Sequence, residues 1–402
     1  MNNFEYYNPV RVFFGPGVVL KVGTLAKDLG KVVCLVSYKN LDFLEPLCSK
    51  VKNLLEKEGM KVLTFYEVEP NPDITTVEKG AKFCKENKVD LIIGIGGGSA
   101  MDCGKAIAAG ALYEGDLWNM VFSSQADSHT VSPTKAIPTL MIPTLPATGS
   151  EMNLCSVLSN RALKEKSFIW DECIYPQIAL IDPELTVSLP IYPTACAAAD
   201  SISHVLEIYI NGEENSPLQH SFQEGVMRTV IDNIRVVLKD LKNIEARANL
   251  QWAATCAING WASPGDAWTP IHQVGHNLTS KFGIEHGASL SVLMTSWMRC
   301  FSSRRKTRYL AFAKNVMKIS PIGKTDEQII EEGIDSFDAF LKEIGVPTTL
   351  KEIGVKESDL DTIVEGVKEV SFGEDGMLNC IPPVSADDIK RMLINATPVK
   401  GK

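Results

Sequence analysis

Two patterns of apolar residues divide the chain. In the first half, short runs rich in Val, Ile and Leu alternate with segments whose apolar residues recur at helical spacing. Such runs are typical of parallel strands covered on both faces, so the alternation predicts a doubly wound, mostly parallel α/β sheet. The predicted strands are Lys31–Ser37, Met60–Tyr66, Asp90–Ile95, Thr139–Pro143 and Gln177–Asp182. The predicted helices are Leu44–Glu58, Ile74–Asn87 (with Asp73 as its cap) and Ala100–Ala109.

Beyond Asp182-Pro183 the pattern is only that of amphipathic helices, punctuated by prolines. The sequence therefore predicts two domains, an α/β domain over 1–185 and an all-helical domain over 186–402. The predicted helices of the second domain are Pro193–Ile210, Pro217–Leu241, Glu245–Trp261, Glu285–Phe301, Arg304–Met317, Asp326–Ile344, Glu357–Val367 and Ala386–Ile394.

Composition narrows the class of protein. The 402 residues include 40 Lys+Arg and 49 Asp+Glu, a net charge of −9, which argues against binding to nucleic acid. No window reaches the roughly 18 apolar residues of a membrane span, and the polar opening does not resemble a signal peptide. The ten cysteines form no C-x-x-C pair, which fits a reducing compartment better than a disulfide framework. We therefore expect a cytoplasmic protein with no membrane partner.

A glycine-rich turn suggests a phosphate site. A predicted strand enters Gly96-Gly97-Gly98-Ser99 and continues as a helix that contains Asp102. Glycines let backbone N–H groups approach an oxyanion, and the helix adds its N-terminal partial positive charge. The spacing differs from G-x-G-x-x-G, so it indicates only a phosphate-like group, and a β–α turn without a ligand is the alternative. A second turn, Ile142–Glu151, follows another strand and could form a wall of the same crevice.

Histidines in the second half suggest a metal site. Three of the six, His272, His276 and His286, fall within 15 residues. Upstream, Asp200 and His204 are four residues apart in a helical stretch, so both side chains lie on one helix face. Asp200, His204 and two more imidazoles would suit Fe²⁺, Zn²⁺, Mn²⁺ or Co²⁺, and an open coordination position would make the cation a Lewis acid. The alternative is a set of ordinary helix histidines. His129 and His220 are expected to face solvent.

These motifs together resemble the iron-containing, metal-dependent (group III) alcohol dehydrogenases, along nearly the whole chain. The segments that carry the resemblance are Gly96-Gly-Gly-Ser-x-x-Asp102-x-x-Lys105, Pro143-Thr-Leu-Pro-Ala-Thr-Gly-Ser-Glu151, Asp182-Pro-x-Leu-Thr, Asp200-x-x-x-His204-x-x-Glu207, His272-x-x-x-His276 and Gly283-x-x-His286-Gly287. The resemblance implies a dinucleotide-binding α/β domain followed by a helical metal domain, an architecture like that of dehydroquinate synthase, with the active site in the cleft.

The resemblance also implies roles for particular residues. The metal ligands would be Asp200, His204, His272 and His286, with Fe²⁺ as the expected ion and Zn²⁺ as the alternative. His276 would be the catalytic histidine beside the nicotinamide, within a proton relay. The pyrophosphate site would be the glycine turn, and the remaining residues of the cofactor cleft match Asn71, Thr144, Leu145, Thr148 and Lys166.

One difference from the family pattern affects the expected choice between NADP(H) and NAD(H). Family members that prefer NAD often carry an Asp after the second strand, where this chain reads Ser37-Tyr38-Lys39-Asn40. An Asp would repel a ribose 2′-phosphate, whereas Lys39 with the Ser37 and Asn40 side chains could bind one. We therefore expect NADP(H) to be preferred over NAD(H), with Tyr38, Lys39 and Asn40 at the specificity-determining position.

The expected function is that of a butanol dehydrogenase or aldehyde reductase, because the Leu145–Glu151 motif and the run Trp261–Trp268 resemble that branch. The substrate would be a small aldehyde or alcohol, and the family suggests a homodimer. The nearest alternative is an NAD-dependent glycerol- or diol-dehydrogenase-like enzyme. A dehydroquinate-synthase-like lyase is a further alternative, but its polyanionic substrate calls for basic residues, and only Lys281 lies near His272 and His286 in sequence. The last alternative is a non-catalytic protein that binds a metal or a nucleotide.

Overall fold

The structure of the chain is a computed structural model that describes residues 3–40, 42–122, 130–263 and 269–397. The chain divides into two compact units. The sheet unit comprises Tyr7–Ser188 and Lys242–Thr255. The helical unit comprises Met1–Tyr6, Leu189–Leu241 and Cys256–Lys402.

The strands of the sheet unit are β1 (Arg11–Phe14), β2 (Val32–Tyr38), β3 (Lys61–Val68), β4 (Leu91–Gly96), β5 (Thr139–Pro143), β6 (Cys155–Asn160), β7 (Glu165–Trp170) and β8 (Ile178–Ile181). Six of them form an all-parallel sheet at the centre of the unit, in the order β1-β8-β5-β4-β2-β3. The five predicted strands are all present, with ends shifted by at most two residues. Three further strands were not predicted: the edge strand β1 and the antiparallel hairpin β6–β7.

Helices cover both faces of this sheet, which confirms the predicted doubly wound α/β fold. They are α1 (Val22–Ala26), α2 (Glu45–Lys57), α3 (Ile74–Glu86) and α4 (Gly98–Gly110). Apolar residues of α1 and α2 share one buried cluster with Leu35 and Ile93, whereas α3 and α4 share another with Cys34 and Ile92. Side chains of β2 and β4 alternate between the two clusters because successive residues of a strand point to opposite faces. The chain leaves β2 and β4 toward opposite faces, so the carboxyl ends of these strands form the switch point at which such sheets bind ligands.

The helix α7 (Ile244–Ala257) falls on both sides of a unit boundary. Its residues up to Thr255 group with the sheet unit, whereas the predicted domain of residues 186–402 placed them in the helical domain. Two contacts explain the difference: the Thr255 hydroxyl donates to the Glu151 carboxylate at 2.5 Å, and the Trp252 ring packs edge-on against Phe14. The other boundary lies at Ser188, against the predicted 185.

The helical unit is built around α5 (Ile191–Asn211), in which every residue from Thr194 to Asn211 is buried and the first half consists mostly of small residues. Beyond β8 the described residues contain isolated bridges but no further strand, as expected. The helices are α5 (Ile191–Asn211), α6 (Pro217–Lys239), α8 (Pro270–Phe282), α9 (His286–Phe301), α10 (Lys306–Ala311, continued by a π-helical turn over Phe312–Val316), α11 (Asp326–Glu343), α12 (Leu360–Ser371) and α13 (Ala386–Asn395). Helix α8 was not predicted. Within the described part of the chain, no helix combines the length and apolarity needed to cross a bilayer.

Candidate functional site

The glycine-rich turn joins β4 to the N-terminus of α4. Gly96 has φ 148°, a backbone conformation that L side chains rarely adopt, and Gly97 is the N-cap. Gly97 provides no side-chain cap, and no described residue accepts a hydrogen bond from the N–H groups of Gly98 or Ser99. The Thr144 N–H donates to the Gly96 carbonyl at 2.9 Å, which ties the turn after β5 to this one. Two N–H donors at a helix N-terminus form a site suited to an anion.

Side chains from the end of β2 and from the loop after β5 surround the glycine turn. The Gly97 N–H donates to the Tyr38 hydroxyl at 3.1 Å, and burial raises the pKa of Tyr38 to about 12. A Cβ added to Gly98 would lie 2.5 Å from Thr148 Cγ2, and one on Gly97 would lie 3.4 Å from the Leu145 side chain. The structure thus brings Tyr38, the glycines and the Leu145–Thr148 segment together, and Gly98 must be glycine because of Thr148.

Asn71, Ser99 and Lys166 form a second group of predicted residues that the structure brings together. The Asn71 N–H donates to Ser99 Oγ at 3.2 Å, and Lys166 Nζ donates to Asn71 Oδ1 at 3.0 Å. Lys166 lies on β7 and is only 7 % exposed, so the hairpin that sequence patterns missed supplies a predicted site residue.

Asp102 has a supporting position, because its carboxylate is directed into the protein. Its Oδ1 accepts from Ser150 Oγ at 2.5 Å, and its Oδ2 accepts from the Val157 N–H at 3.1 Å. Burial raises the pKa of Asp102 and lowers that of the neighbouring Lys105, which lies 3.7 Å away. Lys105 Nζ donates to the Ser150 carbonyl at 3.0 Å. Asp102 and Lys105 therefore fasten α4 to the segment that follows Thr148.

The residues after β2 divide into two groups. Lys39 and Asn40 are exposed beyond the end of the strand. Ser37 is fully buried and its hydroxyl donates to the Ile95 carbonyl at 2.8 Å. The expectation that Ser37 would contact a 2′-phosphate is therefore wrong, because its side chain points into the sheet.

The candidate metal centre lies in the helical unit. Asp200, His204 and His272 present ligand atoms that all lie within 4.8 Å of one another, and all three residues are buried. From Asp200 Oδ1 the distances are 3.4 Å to His272 Nε2, 3.7 Å to His204 Nδ1 and 3.7 Å to His286 Nε2. The buried His204 Nδ1 has no hydrogen-bond partner among the described residues. One carboxylate and three imidazoles that converge in this way form a donor set that fits a divalent first-row metal ion.

The four predicted ligands come from three helices. Asp200 and His204 are one turn apart on α5, His272 lies in the first turn of α8, and His286 is the first residue of α9. The connection between α8 and α9 is short, since Gly283 caps the C-terminus of α8 in the left-handed conformation at φ 67° and α9 begins at His286. The site is therefore assembled by helix packing around α5.

A carboxylate that was given no role in the sequence analysis supports this cluster. Glu207 Oε1 lies 2.5 Å from His272 Nδ1, and its Oε2 accepts from the Ile271 N–H at 2.6 Å. Ser203 Oγ donates to the same carboxylate at 2.7 Å. Glu207 thus orients the His272 ring and also caps α8, as carboxylates behind metal-binding histidines do. The signal was available in the sequence, because Glu207 is one turn beyond His204.

The electrostatics of the cluster follow from burial and mutual attraction. Burial lowers the pKa of His204 to about 4. Burial also acts to lower the pKa of His272, but the Glu207 and Asp200 carboxylates outweigh it and raise that pKa to about 9. Although burial opposes it, His204 and the other imidazoles hold the pKa of Asp200 well below its usual range. Asp200 is therefore the anionic centre of the group.

The other histidines separate into two kinds. His276 is one turn beyond His272 on α8, with ring centroids 6.2 Å apart, and its ring lies 5.5 Å from that of His286. It thus borders the cluster. His220 is buried rather than exposed as expected, because its ring contacts the Glu213 carbonyl at 3.0 Å and the Arg308 guanidinium at 2.9 Å. His129 and most of the run Trp261–Trp268 lie outside the described residues.

Both halves of the chain match family-wide sequence profiles. Residues 9–183 match "Iron-containing alcohol dehydrogenase" and residues 194–396 match "Fe-containing alcohol dehydrogenase family, C-terminal". These two matches confirm the resemblance that the motifs predicted.

Individual relatives cover nearly the whole chain. NADH-dependent butanol dehydrogenase A of Clostridium acetobutylicum is 34 % identical over 97 % of this chain and 98 % of that protein. An NADPH-dependent aldehyde reductase of Escherichia coli is 30 % identical over 92 % of this chain and 94 % of that protein. The crystal structure of NADH-dependent butanol dehydrogenase A from Thermotoga maritima is similar, with a TM-score of 0.92 at 31 % identity and 99 % of both chains covered.

Proposed function

The chain belongs to the iron-containing alcohol dehydrogenase family, and we propose that it interconverts primary alcohols and aldehydes by hydride transfer with a nicotinamide dinucleotide. The observation that carries the proposal is that one chain contains two such features. The side chains of Asp200, His204, His272 and His286 converge in the helical unit, and the glycine turn at Gly96–Gly98 lies in the sheet unit. The four side chains suit a Lewis-acid cation, and the glycine turn suits a pyrophosphate. The names of the relatives, butanol dehydrogenase and aldehyde reductase, support reduction of small aldehydes.

Asp200, His204, His272 and His286 would hold the metal ion, for which we propose Fe²⁺, with Zn²⁺ as the alternative. When bound, such an ion supplies Lewis-acid polarisation of a substrate oxygen. Asp200 provides the negative charge of the site, and Glu207 holds the His272 ring in its orientation. The imidazoles reach the site from α5, α8 and α9, so the donor geometry is set before a substrate arrives.

His276 would act as the catalytic histidine. It borders the donor cluster on the same face of α8 as His272, without being one of the four donors. The alkoxide formed when hydride reaches an aldehyde must gain a proton, and an imidazole beside the site can deliver it. We propose that His276 passes this proton, directly or through a ribose hydroxyl or water.

For the cofactor, we propose a preference for NADP(H) over NAD(H). Residues 37–40 contain no carboxylate to repel a 2′-phosphate, and Lys39 and Asn40 are exposed beyond β2 at the switch point. The relatives named above use different cofactors, since the butanol dehydrogenases are named for NADH and the aldehyde reductase for NADPH. The proposal therefore depends on Lys39 and Asn40 of this chain.

We also propose that the protein is a homodimer. The strand β1 is an edge of the sheet, and Phe14 at its end is 41 % exposed beside Trp252, which is 42 % exposed. An edge strand with exposed aromatic residues is suited to pairing with a second copy. Light scattering of the wild type and of a Trp252→Lys variant would test this, since a monomeric wild type contradicts it.

The main test is oxidation of NADPH with butanal by protein that has been stripped of metal and reloaded with Fe²⁺ or Zn²⁺. We expect turnover only after reloading, and a higher kcat/KM with NADPH than with NADH. Turnover with 1,3-propanediol and NAD⁺ but not with butanal would favour the diol-dehydrogenase alternative. The absence of turnover with either metal, both cofactors and all these substrates would overturn the proposed function.

A further inference from the structure

We infer that Arg161, an exposed residue in the turn of the hairpin β6–β7, is a positioning residue that sets cofactor affinity by holding Asn71. The inference rests on the proposed function, because it assigns Asn71 to the cofactor site. Arg161 belongs to none of the family motifs that identified the site. Its side chain is 56 % exposed, and yet it is the centre of the contacts that fasten the loop of residues 69–73.

The guanidinium of Arg161 makes three hydrogen bonds with this loop. Its Nη1 donates to Glu69 Oε1 at 2.9 Å, and its Nη2 lies 3.4 Å from the Pro70 carbonyl and 3.3 Å from the Asn71 carbonyl. The Arg161 backbone N–H separately donates to Asp73 Oδ2 at 2.9 Å. Nη1 also lies 3.8 Å from Asp73 Oδ2, so the side chain contacts both ends of the loop and the backbone adds a hydrogen bond at its end.

Asn71 needs such support because of its backbone. Its φ of 53° is in the left-handed region, which is unfavourable for residues other than glycine, although asparagine adopts it more readily than most. A conformation of this kind persists where the surroundings hold it, and the Arg161 guanidinium binds the Asn71 carbonyl itself. Without that contact, we expect the loop to populate conformations in which Asn71 no longer meets its partners.

Those partners connect Asn71 to the glycine turn. The Asn71 N–H donates to Ser99 in the first turn of α4, next to the free N–H donors of the anion site, and its side-chain oxygen accepts from Lys166. The two Asn71 Nδ2 hydrogens have no acceptor among the described residues, so they remain available to a ligand. The conformation of Asn71 thus decides where its amide donor lies relative to the α4 N-terminus and whether its side-chain oxygen meets Lys166.

Arginine is suited to this task in a way that lysine is not. The planar guanidinium reaches one carboxylate and two carbonyls at once, whereas an ammonium on a flexible stem would retain the pairing with Glu69 and lose the fixed fork. Both cofactors carry the same pyrophosphate and riboses apart from the 2′-phosphate. Arg161 should therefore affect NADPH and NADH equally.

The test measures the Kd of the purified enzyme for NADPH and NADH by titration of nicotinamide fluorescence, alongside kcat at saturating cofactor. For Arg161→Ala we expect both Kd values to rise about tenfold, equivalent to about 1.4 kcal/mol, and kcat to change less than about twofold. Arg161→Lys should recover part of the affinity. The matched control is Arg299→Ala, which removes an exposed pair with Asp335 at 2.6 Å in the helical unit and should change neither Kd.

A double-mutant cycle separates positioning from general loosening. If Arg161 acts through Asn71, then Arg161→Ala should add little to the Kd of an Asn71→Ala variant. Unchanged Kd values in Arg161→Ala would overturn the inference, and so would fully additive effects of the two substitutions. A loss of affinity confined to NADPH would also overturn it, because it would mean that Arg161 contacts the 2′-phosphate directly. A wild type that binds neither cofactor would instead contradict the proposed function.

Discussion

The Glu207 carboxylate binds His272 at both its ring and its backbone, at 2.5 Å to Nδ1 and 3.1 Å to the N–H. One buried side chain thereby sets the orientation of a proposed metal ligand and caps the helix on which that ligand stands. The metal centre and the start of α8 are consequently coupled, because neither the ring nor the first turn can move without breaking a contact to Glu207.

Replacing Glu207 by Gln should weaken metal binding. The amide can still accept hydrogen bonds from the α8 N-terminus, but the negative charge behind His272 is lost. Losses of such supporting contacts typically reduce metal affinity by about 10- to 100-fold. We expect Glu207→Gln protein to lose metal during dialysis against a weak chelator, as measured by elemental analysis. Glu224→Gln is the control, since Glu224 accepts from Tyr209 and Asn315 away from the cluster. Equal metal retention by both variants would contradict this role.

Removing His276 should separate chemistry from binding. Positioned proton donors contribute about 10²- to 10⁴-fold to turnover. We therefore expect His276→Ala to lower kcat within this range while metal content and the Kd for NADPH stay near those of the wild type. The control on the same helix is Gln273→Ala, which removes the acceptor of a hydrogen bond from Ser371 Oγ at 2.6 Å. Loss of metal from His276→Ala would show instead that His276 belongs to the donor set.

Substitutions after β2 should change the choice of cofactor. Lys39→Glu places a negative charge where we propose the 2′-phosphate binds, so the ratio of kcat/KM for NADPH to that for NADH should fall by about tenfold or more. Tyr38→Asp should act in the same direction, but it also removes the acceptor for the Gly97 N–H. Lys39→Glu is therefore the cleaner variant. An unchanged ratio in Lys39→Glu would exclude Lys39 as a determinant of cofactor preference.

Two glycines of α4 should respond oppositely to alanine. In Gly98→Ala the new Cβ would meet Thr148 Cγ2 at 2.5 Å, so we expect weaker binding of NADPH and a lower melting temperature. Adding Thr148→Ala should restore part of both. In Gly104→Ala the nearest atoms are 3.7 Å away, so this variant should be neutral or more stable by about 0.5–1 kcal/mol. Equal effects of the two alanines in calorimetry would contradict the packing described at Gly98.

The contribution of Asp73 to stability should depend on pH. Although burial opposes it, hydrogen bonds from Thr75 and from the Arg161 N–H lower the pKa of Asp73. A lowered pKa in the folded state means that the stabilisation is fully present above the unfolded value of about 3.9 and disappears as pH falls through the folded value. Asp73→Asn should therefore lower the melting temperature at pH 7, and by a smaller amount at each lower pH once the pH falls below about 3.9. The same decrease at both pH values would show that charge is not involved.

The fold class could be predicted from the sequence, and local motifs together with the family resemblance pointed to the residues that we propose for the two sites. Strands β2, β4 and β5 could be predicted because both of their faces are buried, which leaves continuous apolar runs. The spacing of Asp200 and His204 indicated one helix face, and the structure brings His272 and His286 to it. Local periodicity and motif spacing carry this information because they depend on residues close together in the chain.

Features that depend on contacts between distant segments could be seen only in the tertiary structure. The hairpin β6–β7 escaped prediction because polar residues such as Ser156 and Ser159 are buried by their partners rather than by their own hydrophobicity. Helix α7 joins the sheet unit through Thr255 and Trp252, contacts over more than a hundred positions that no local pattern records. The roles of Glu207 and Arg161 arise in the same way. Each acts through hydrogen bonds to atoms that only the folded chain places within reach, because direction and distance, rather than residue type, determine whether such bonds form.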